Sequence, residues 1–198
     1  GENYMHWLIC KERTEIILLL FIWANAFEER KEIIFLSSNE DNWMIRDIME
    51  IRTATIADLA QIAAVEAECF PAAEAATKEE FAERIKYYGN HFWLMFEDEK
   101  LIAFVDGFVT DKPDLTDEMY ERAEMHDENG AWQMIFGVNT IPAYRKHGYA
   151  GQLLQCAIED ARKQGRKGLV LTCKEKLIAY YAKFGFENEG ISESVHGN

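Results

Sequence analysis

Arg145, Lys146, His147, Gly148, Tyr149, Ala150 and Gly151 form one run in which three basic residues are followed by small ones around a tyrosine, and that mixture suits the holding of a phosphate. Arginine and lysine supply charge, while glycine lets a ligand come close to the main chain. A helix that begins inside such a run presents N–H groups without intrahelical partners and the positive end of its dipole. Two familiar phosphate loops are excluded, because no Gly-Lys-Ser/Thr follows and Gly-x-Gly-x-x-Gly is incomplete. The expectation is a pyrophosphate-bearing cofactor held by main-chain amides. The plainer alternative is a strand-to-helix turn whose basic residues are merely solvated.

The elements around the run are arranged to hold it. Ala131 to Val138 is short, apolar and without helical spacing, which predicts a buried strand that Pro142 brings to an end. After the run, Leu153, Leu154, Ala157, Ile158 and Ala161 recur at three- and four-residue steps, which predicts an amphipathic helix. Gly168 to Thr172 reads as a second buried strand, followed by a segment from Glu175 to Phe186 that carries Tyr180 and Tyr181. Upstream, Glu50 to Thr55 alternates like a first strand, Thr55 to Asp58 resembles a helix cap, and the helix it opens runs to Pro71. Thr77-Lys-Glu-Glu80 is a capping box for a helix ending at Gly89. Phe92 to Phe96 and Leu101 to Val109 flank Glu97-Asp-Glu-Lys100 as a hairpin, and Asp114 to Glu124 has a helical, acidic pattern.

Arg145-x-x-Gly148-x-Ala150 after a strand, with Tyr181-Ala-Lys-Phe-Gly185-Phe186 downstream, resembles the acetyl-coenzyme A loop and tyrosine helix of the GNAT superfamily of N-acetyltransferases. Within it, Glu66-Ala-Glu-Cys-Phe-Pro71, the helix opening at Thr77, Glu99-Lys-Leu-Ile-Ala-Phe104 and the insert from Asp114 to Glu124 are similar to the arylalkylamine (serotonin-type) group. The similarity spans roughly Met49 to Asn198. It implies a mixed, mostly antiparallel central sheet with helices on both faces, the acyl-CoA N-acyltransferase fold, in which residues 1–48 are an extension and 49–198 the acetyltransferase domain. Such a domain ordinarily finishes on a further strand near the centre of the sheet, yet the sequence stops at Asn198 where that strand should begin. An open slot would expose unpaired backbone and apolar faces, so Glu32 to Leu36 of the extension, from this subunit or a neighbour in a homodimer, is expected to cover it.

The resemblance also implies a mechanism. A neutral primary amine attacks the thioester of acetyl-CoA, a cosubstrate rather than a resident cofactor. Val138, Asn139 and Thr140 pair with its pantetheine arm, residues 145 to 151 hold its pyrophosphate, and Tyr181 donates a proton to the departing thiolate. A phenol with an ordinary pKa near 10 is protonated at neutral pH and suited to that task. The paired histidines of the animal arylalkylamine enzymes are replaced by Met134 and Phe136. Deprotonation of the amine then falls to ordered water, to Glu66, Glu68 or Glu175, or to amine arriving neutral. Residues 70–86 and 114–126 correspond to regions that choose the acceptor, which could be an arylalkylamine, a polyamine, an aminoglycoside-like compound, or a protein N-terminus or lysine. A non-catalytic acyl-CoA sensor is the alternative function.

Composition narrows the partners. At 198 residues, 48% of them hydrophobic, the chain can bury one sizeable core. A formal charge of −14 argues against nucleic acid and anionic membranes, which need a basic footprint. Cys10, Cys69, Cys156 and Cys173 have no metal-site or redox spacing, and only His147 of the histidines lies in a motif, so no metal is expected and a cytoplasmic setting is. The apolar run Ile16 to Trp23 is too short to span a bilayer and lacks the basic flank of a secretory leader, which leaves an added helix as its reading, unless the natural start is Met49.

Overall fold

Local chemistry starts and stops the helices where the residues indicate. Thr77 accepts from the Glu80 amide at 3.2 Å while its own amide donates to Glu80 Oε2 at 2.6 Å, a closed capping box that opens α2. Asp58 closes a similar box on Thr55 and takes both Arg52 nitrogens at 2.7 and 2.8 Å, but here the box opens a single 3₁₀ turn before the helix proper. The computed structural model describes residues 4–11, 32–33 and 49–194. In chain order these form β1 (Met5–Lys11), β2 (Glu32–Ile33), β3 (Met49–Thr53), α1 (Leu59–Cys69), α2 (Lys78–Tyr88), β4 (Phe92–Glu97), β5 (Lys100–Asp106), β6 (Val109–Thr110), α3 (Asp117–Glu121), β7 (Trp132–Met134), β8 (Gly137–Thr140), α4 (Tyr149–Lys163), β9 (Gly168–Lys174), α5 (Ile178–Ala182) and β10 (Glu187–Ile191).

The strands make two five-stranded ladders, β2-β3-β4-β5-β8 and β10-β1-β9-β7-β6, antiparallel except where β7 runs parallel to β9. Neighbouring residues of β4 look to opposite faces. Phe92 stacks among Phe81 and Tyr88 of α2, whereas the Trp93 indole donates to Asp160 of α4 at 2.7 Å. Helices therefore cover both faces, and a mixed, mostly antiparallel α/β fold is what the chain adopts. Among the described residues no helix is long and apolar enough to cross a membrane. Ile16 to Trp23 lies outside them.

Two expectations from sequence need correction. Glu32 and Ile33 pair with Glu50 and Met49 of β3, at the far edge of the other ladder, so they do not cover the slot beside β9; residues 34–36 lie outside the described set. The slot is filled by β1, which is antiparallel to β9 along its whole length and to β10 across a bulge between Trp7 and Leu8. With a strand on either side and Leu8 at 0% exposure, this segment takes the central position that an edge strand could not hold. The strand expected from Ala131 to Val138 is likewise two strands with different partners, and the break between them makes the site.

Candidate active site

At Ile135 and Phe136 the chain changes neighbours. Ile135 N–H still donates to Val170 O of β9 at 2.8 Å, and the next amide, of Phe136, donates instead to Asp106 O of β5 at 2.8 Å. Beyond this point β8 follows β5 and β9 follows β1, so the two ladders part and leave a fork between β8 and β9. Ile141 N–H donates to Ile102 O at 3.0 Å, and the alternation of an antiparallel ladder then turns the main-chain groups of Val138 and Thr140 away from β5, toward the fork. Thr140 O is taken by Arg145 Nε at 3.0 Å and by the Cys69 thiol at 3.4 Å. Among the described residues, Val138 N–H, Val138 C=O and Thr140 N–H are left along the free edge, beside a buried Thr140 hydroxyl that has no partner there. An extended chain with amide groups can add to such an edge.

The cationic run lies at the end of this edge. Lys146 (φ 68°) and Gly148 (φ 82°) are both left-handed, which folds the loop tightly onto the first turn of α4, a helix of 15 residues. Gly148 is the N-cap and offers no side-chain acceptor, so the amides of Tyr149, Ala150 and Gly151 have no capping group. Arg145, Lys146 and His147 are exposed around them; His147 Nδ1 lies 2.9 Å from Arg145 O, and its ring stacks on Tyr149 at 5.6 Å. Gly151 has a different task from Gly148. A Cβ there would come within 2.8 Å of Phe184, so it lets α4 pack against the segment that follows α5.

Tyr181 sits on α5 with 7% exposure, its ring 5.9 Å from Phe186. Burial, then the nearby Cys173, Tyr180 and Tyr120, raise its phenol well above the usual range, which keeps it protonated. The Tyr180 ring lies 5.2 Å from that of Tyr181 and 5.3 Å from Phe184. From the other face, Tyr120 of α3 reaches Thr172 of β9 at 3.2 Å and lies 4.8 Å from Phe136, and burial pushes its phenol up to about 12. Sequence reasoning had not singled out Tyr120, because nothing in a five-residue helix signals contact with a strand so far along the chain.

The three carboxylates named as bases separate clearly. Glu68 and Glu175 are exposed, whereas Glu66 is buried and bonded to Ala76 N–H at 3.1 Å and Asn139 Nδ2 at 2.5 Å, with its pKa raised chiefly by burial. Met134 is fully buried and Phe136 lies in a shell of Tyr88, Phe108, Tyr120 and the Arg84 guanidinium. Beneath that shell Arg84 meets Asp106 at 3.3 Å, and burial pushes the Asp106 carboxyl up to about 7 against the pull of Arg84.

One cluster was invisible to spacing. His91, His126 and Glu128 bring ligand-type atoms within 4.8 Å of one another. Val109 N–H donates to His126 Nδ1 at 3.1 Å, so a neutral His126 carries its proton on Nε2 and gives it to Glu128 Oε2 at 3.2 Å. His91 is oriented by Gln133 at 2.7 Å, and Arg166 takes the other Glu128 oxygen at 2.8 Å. His126 thus presents an N–H, not a lone pair, and the cluster is better suited to anchoring the segment that follows the Asp114 to Glu124 insert than to ligating a metal.

The Acetyltransferase (GNAT) family model matches residues 59–186. Over 96 residues the chain is 29% identical to serotonin N-acetyltransferase of Mesocricetus auratus, a match covering 48% of this chain and 45% of that protein, so less than half of that relative's length is spanned. Among solved structures, the GphF GNAT-like decarboxylase in complex with isobutyryl-CoA is 25% identical, with a TM-score of 0.58 over 69% of this chain and 71% of its own. The loading GNATL domain of CurA from Lyngbya majuscula shares the fold at 21% identity and a TM-score of 0.57, over 62% of this chain and 63% of its own. The fork, the left-handed loop and the helix bearing Tyr181 all fall inside the matched span, and the chain belongs to the GNAT family of acetyltransferases.

Proposed function

We propose that this chain is an N-acetyltransferase that moves the acetyl group of acetyl-CoA to a primary amine by direct attack, with Tyr181 as general acid. The observation that carries the proposal is the fork: a strand edge with free amide groups that leads to a left-handed loop and the uncapped N-terminus of α4. Val138 and Thr140 on that edge would pair with the pantetheine arm, and the amides of residues 146 to 151, with the Arg145 and Lys146 charges, would take the pyrophosphate. That GphF was solved with isobutyryl-CoA supports an acyl-CoA in the corresponding groove. In this reading Met5–Lys11 completes the sheet of a domain otherwise formed by residues 49–198.

The amine nitrogen attacks the thioester carbon, the carbon–sulfur bond breaks, and the Tyr181 proton passes to sulfur. A phenol raised by burial gives up that proton only as thiolate charge develops, which favours concerted donation. No histidine stands on β7 or β8 to accept a proton from the ammonium form, so the amine would arrive neutral or lose its proton to an ordered water, and after attack the surplus proton on nitrogen would leave through water, which returns a proton to the Tyr181 phenolate. Rates should accordingly rise with pH as the free amine increases. Tyr181→Phe is expected to lower kcat about 10²-fold at an unchanged melting temperature, read by thiol release from acetyl-CoA over an amine panel that includes arylalkylamines and polyamines. A wild-type rate in that variant removes Tyr181 from the chemistry. Tight acetyl-CoA binding by the wild type without thiol release on any amine would replace the enzyme with an acyl-CoA sensor.

A further inference from the structure

We propose that Glu66 is a positioning residue which locks the strand that meets the thioester to the loop on the acceptor side. The proposal rests on the reading of the β8 free edge as the acyl-CoA strand. Glu66 occupies the last turns of α1 at 8% exposure. One carboxylate oxygen accepts from Ala76 N–H at 3.1 Å, at the end of the 70–77 loop, and the other accepts from Asn139 Nδ2 at 2.5 Å, on β8. Three residues further along α1, the Cys69 thiol bonds Thr140 O at 3.4 Å, so the helix end is stitched twice to β8.

The chemistry of the pair allows one arrangement. An ionised carboxylate only accepts, so Asn139 must turn its amide nitrogen to Glu66, which leaves its Oδ1 buried and without a partner among the described residues. Removing the Glu66 carboxylate strands two donors on two different elements, and each buried orphan is costly. Asn139 alternates with Val138 and Thr140 on β8, so the orientation of its side chain helps fix the register in which the free edge faces the fork. Both Glu66 oxygens are already engaged and the group is enclosed, which argues against its acting as the base itself.

The test is a donor–acceptor exchange in the full chain. Asn139→Asp sets two carboxylates face to face, and like charges this close share a proton instead of ionising together. Calorimetry with acetyl-CoA should give a Kd at least about tenfold weaker than wild type at pH 8, recovering as the pH falls and one carboxylate is protonated. Glu66→Gln with Asn139→Asp restores one donor facing one acceptor, and should bring Kd to within about threefold of wild type and return the pH dependence to that of the wild type, in which Arg84, Glu80 and Asp106 are the charged groups that act on Glu66. Glu66→Gln alone should lose less than Asn139→Asp, because Asn139 can rotate to present Oδ1. The proposal is overturned if Asn139→Asp binds like wild type, if its defect is flat with pH, or if the double variant is no better than the single. Should Asn139→Asp fail to fold, the double variant still decides: a restored melting temperature without a restored Kd overturns the proposal. Absence of acetyl-CoA binding by the wild type would instead defeat the proposed function.

Discussion

At the scale of single residues, two glycines of one motif differ in kind. Gly148 has φ 82° and open space where a Cβ would go, so its requirement is conformational. Gly148→Ala should cost about 1–2 kcal/mol of loop conformation and raise the acetyl-CoA KM before it affects kcat, which initial-rate kinetics would resolve; an unchanged KM would detach the loop from the cofactor. Gly151→Ala meets Phe184 and should register as lost stability in chemical denaturation. The Arg-x-x-Gly-x-Ala spelling was plain in the sequence, but a string of letters does not distinguish a glycine needed for its backbone angle from one needed for its missing side chain.

At the scale of elements, β1 is the strand on which the second ladder depends. It pairs with β9 and β10 at once and separates two strands that would otherwise present bare edges. Leu8→Ala, at a fully buried position, should cost about 2–5 kcal/mol, measured by the denaturation midpoint at constant m-value. A loss below about 0.5 kcal/mol would mean that β1 is not seated in the slot in solution. The identity of that strand was not legible in the sequence. Met5–Lys11 and Glu32–Leu36 are both short apolar segments, and strand pairing over such distances in sequence leaves no local mark. The β7–β8 break was hidden for the same reason. Ala131 to Val138 is apolar apart from Gln133, whichever neighbour it bonds.

At the scale of the whole molecule, titration should limit stability from both sides. Partial burial opposes ionisation of Glu128, but hydrogen bonds from His91 and Asn90 and the nearby histidine charges outweigh it and hold the group down to about 2. His126 is lowered by burial and by His91. Both depressed groups contribute stability above their ordinary pKa values that is lost on acidification, below about 6.5 for His126 and between about 4.5 and 2 for Glu128. Asp106 has the opposite sign. Its carboxyl ionises in the unfolded chain near 3.8 but in the folded one only near 7, so its contribution to stability is lost as pH rises from about 4 to about 7 and is level above that. Below neutrality the two effects therefore oppose each other: the loss of melting temperature on acidification should be reduced in Glu128→Gln, and the loss between about pH 4 and pH 7 should be removed in Asp106→Asn. A profile unaltered in both variants would show that neither group titrates with folding.

The sequence by itself determined the local matters: the capping box at Thr77, the amphipathic α4, the cationic loop before it, the tyrosine of α5, and with them the family. These follow from periodicity and side-chain chemistry within a few residues of one another, which the order of letters contains. Tertiary structure alone decided which strand fills the slot, where β7 gives way to β8, that Glu66 meets Asn139, and that His91 meets Glu128. Each depends on groups far apart in the chain competing for one place, and that competition is settled by burial and hydrogen-bond satisfaction over the whole fold.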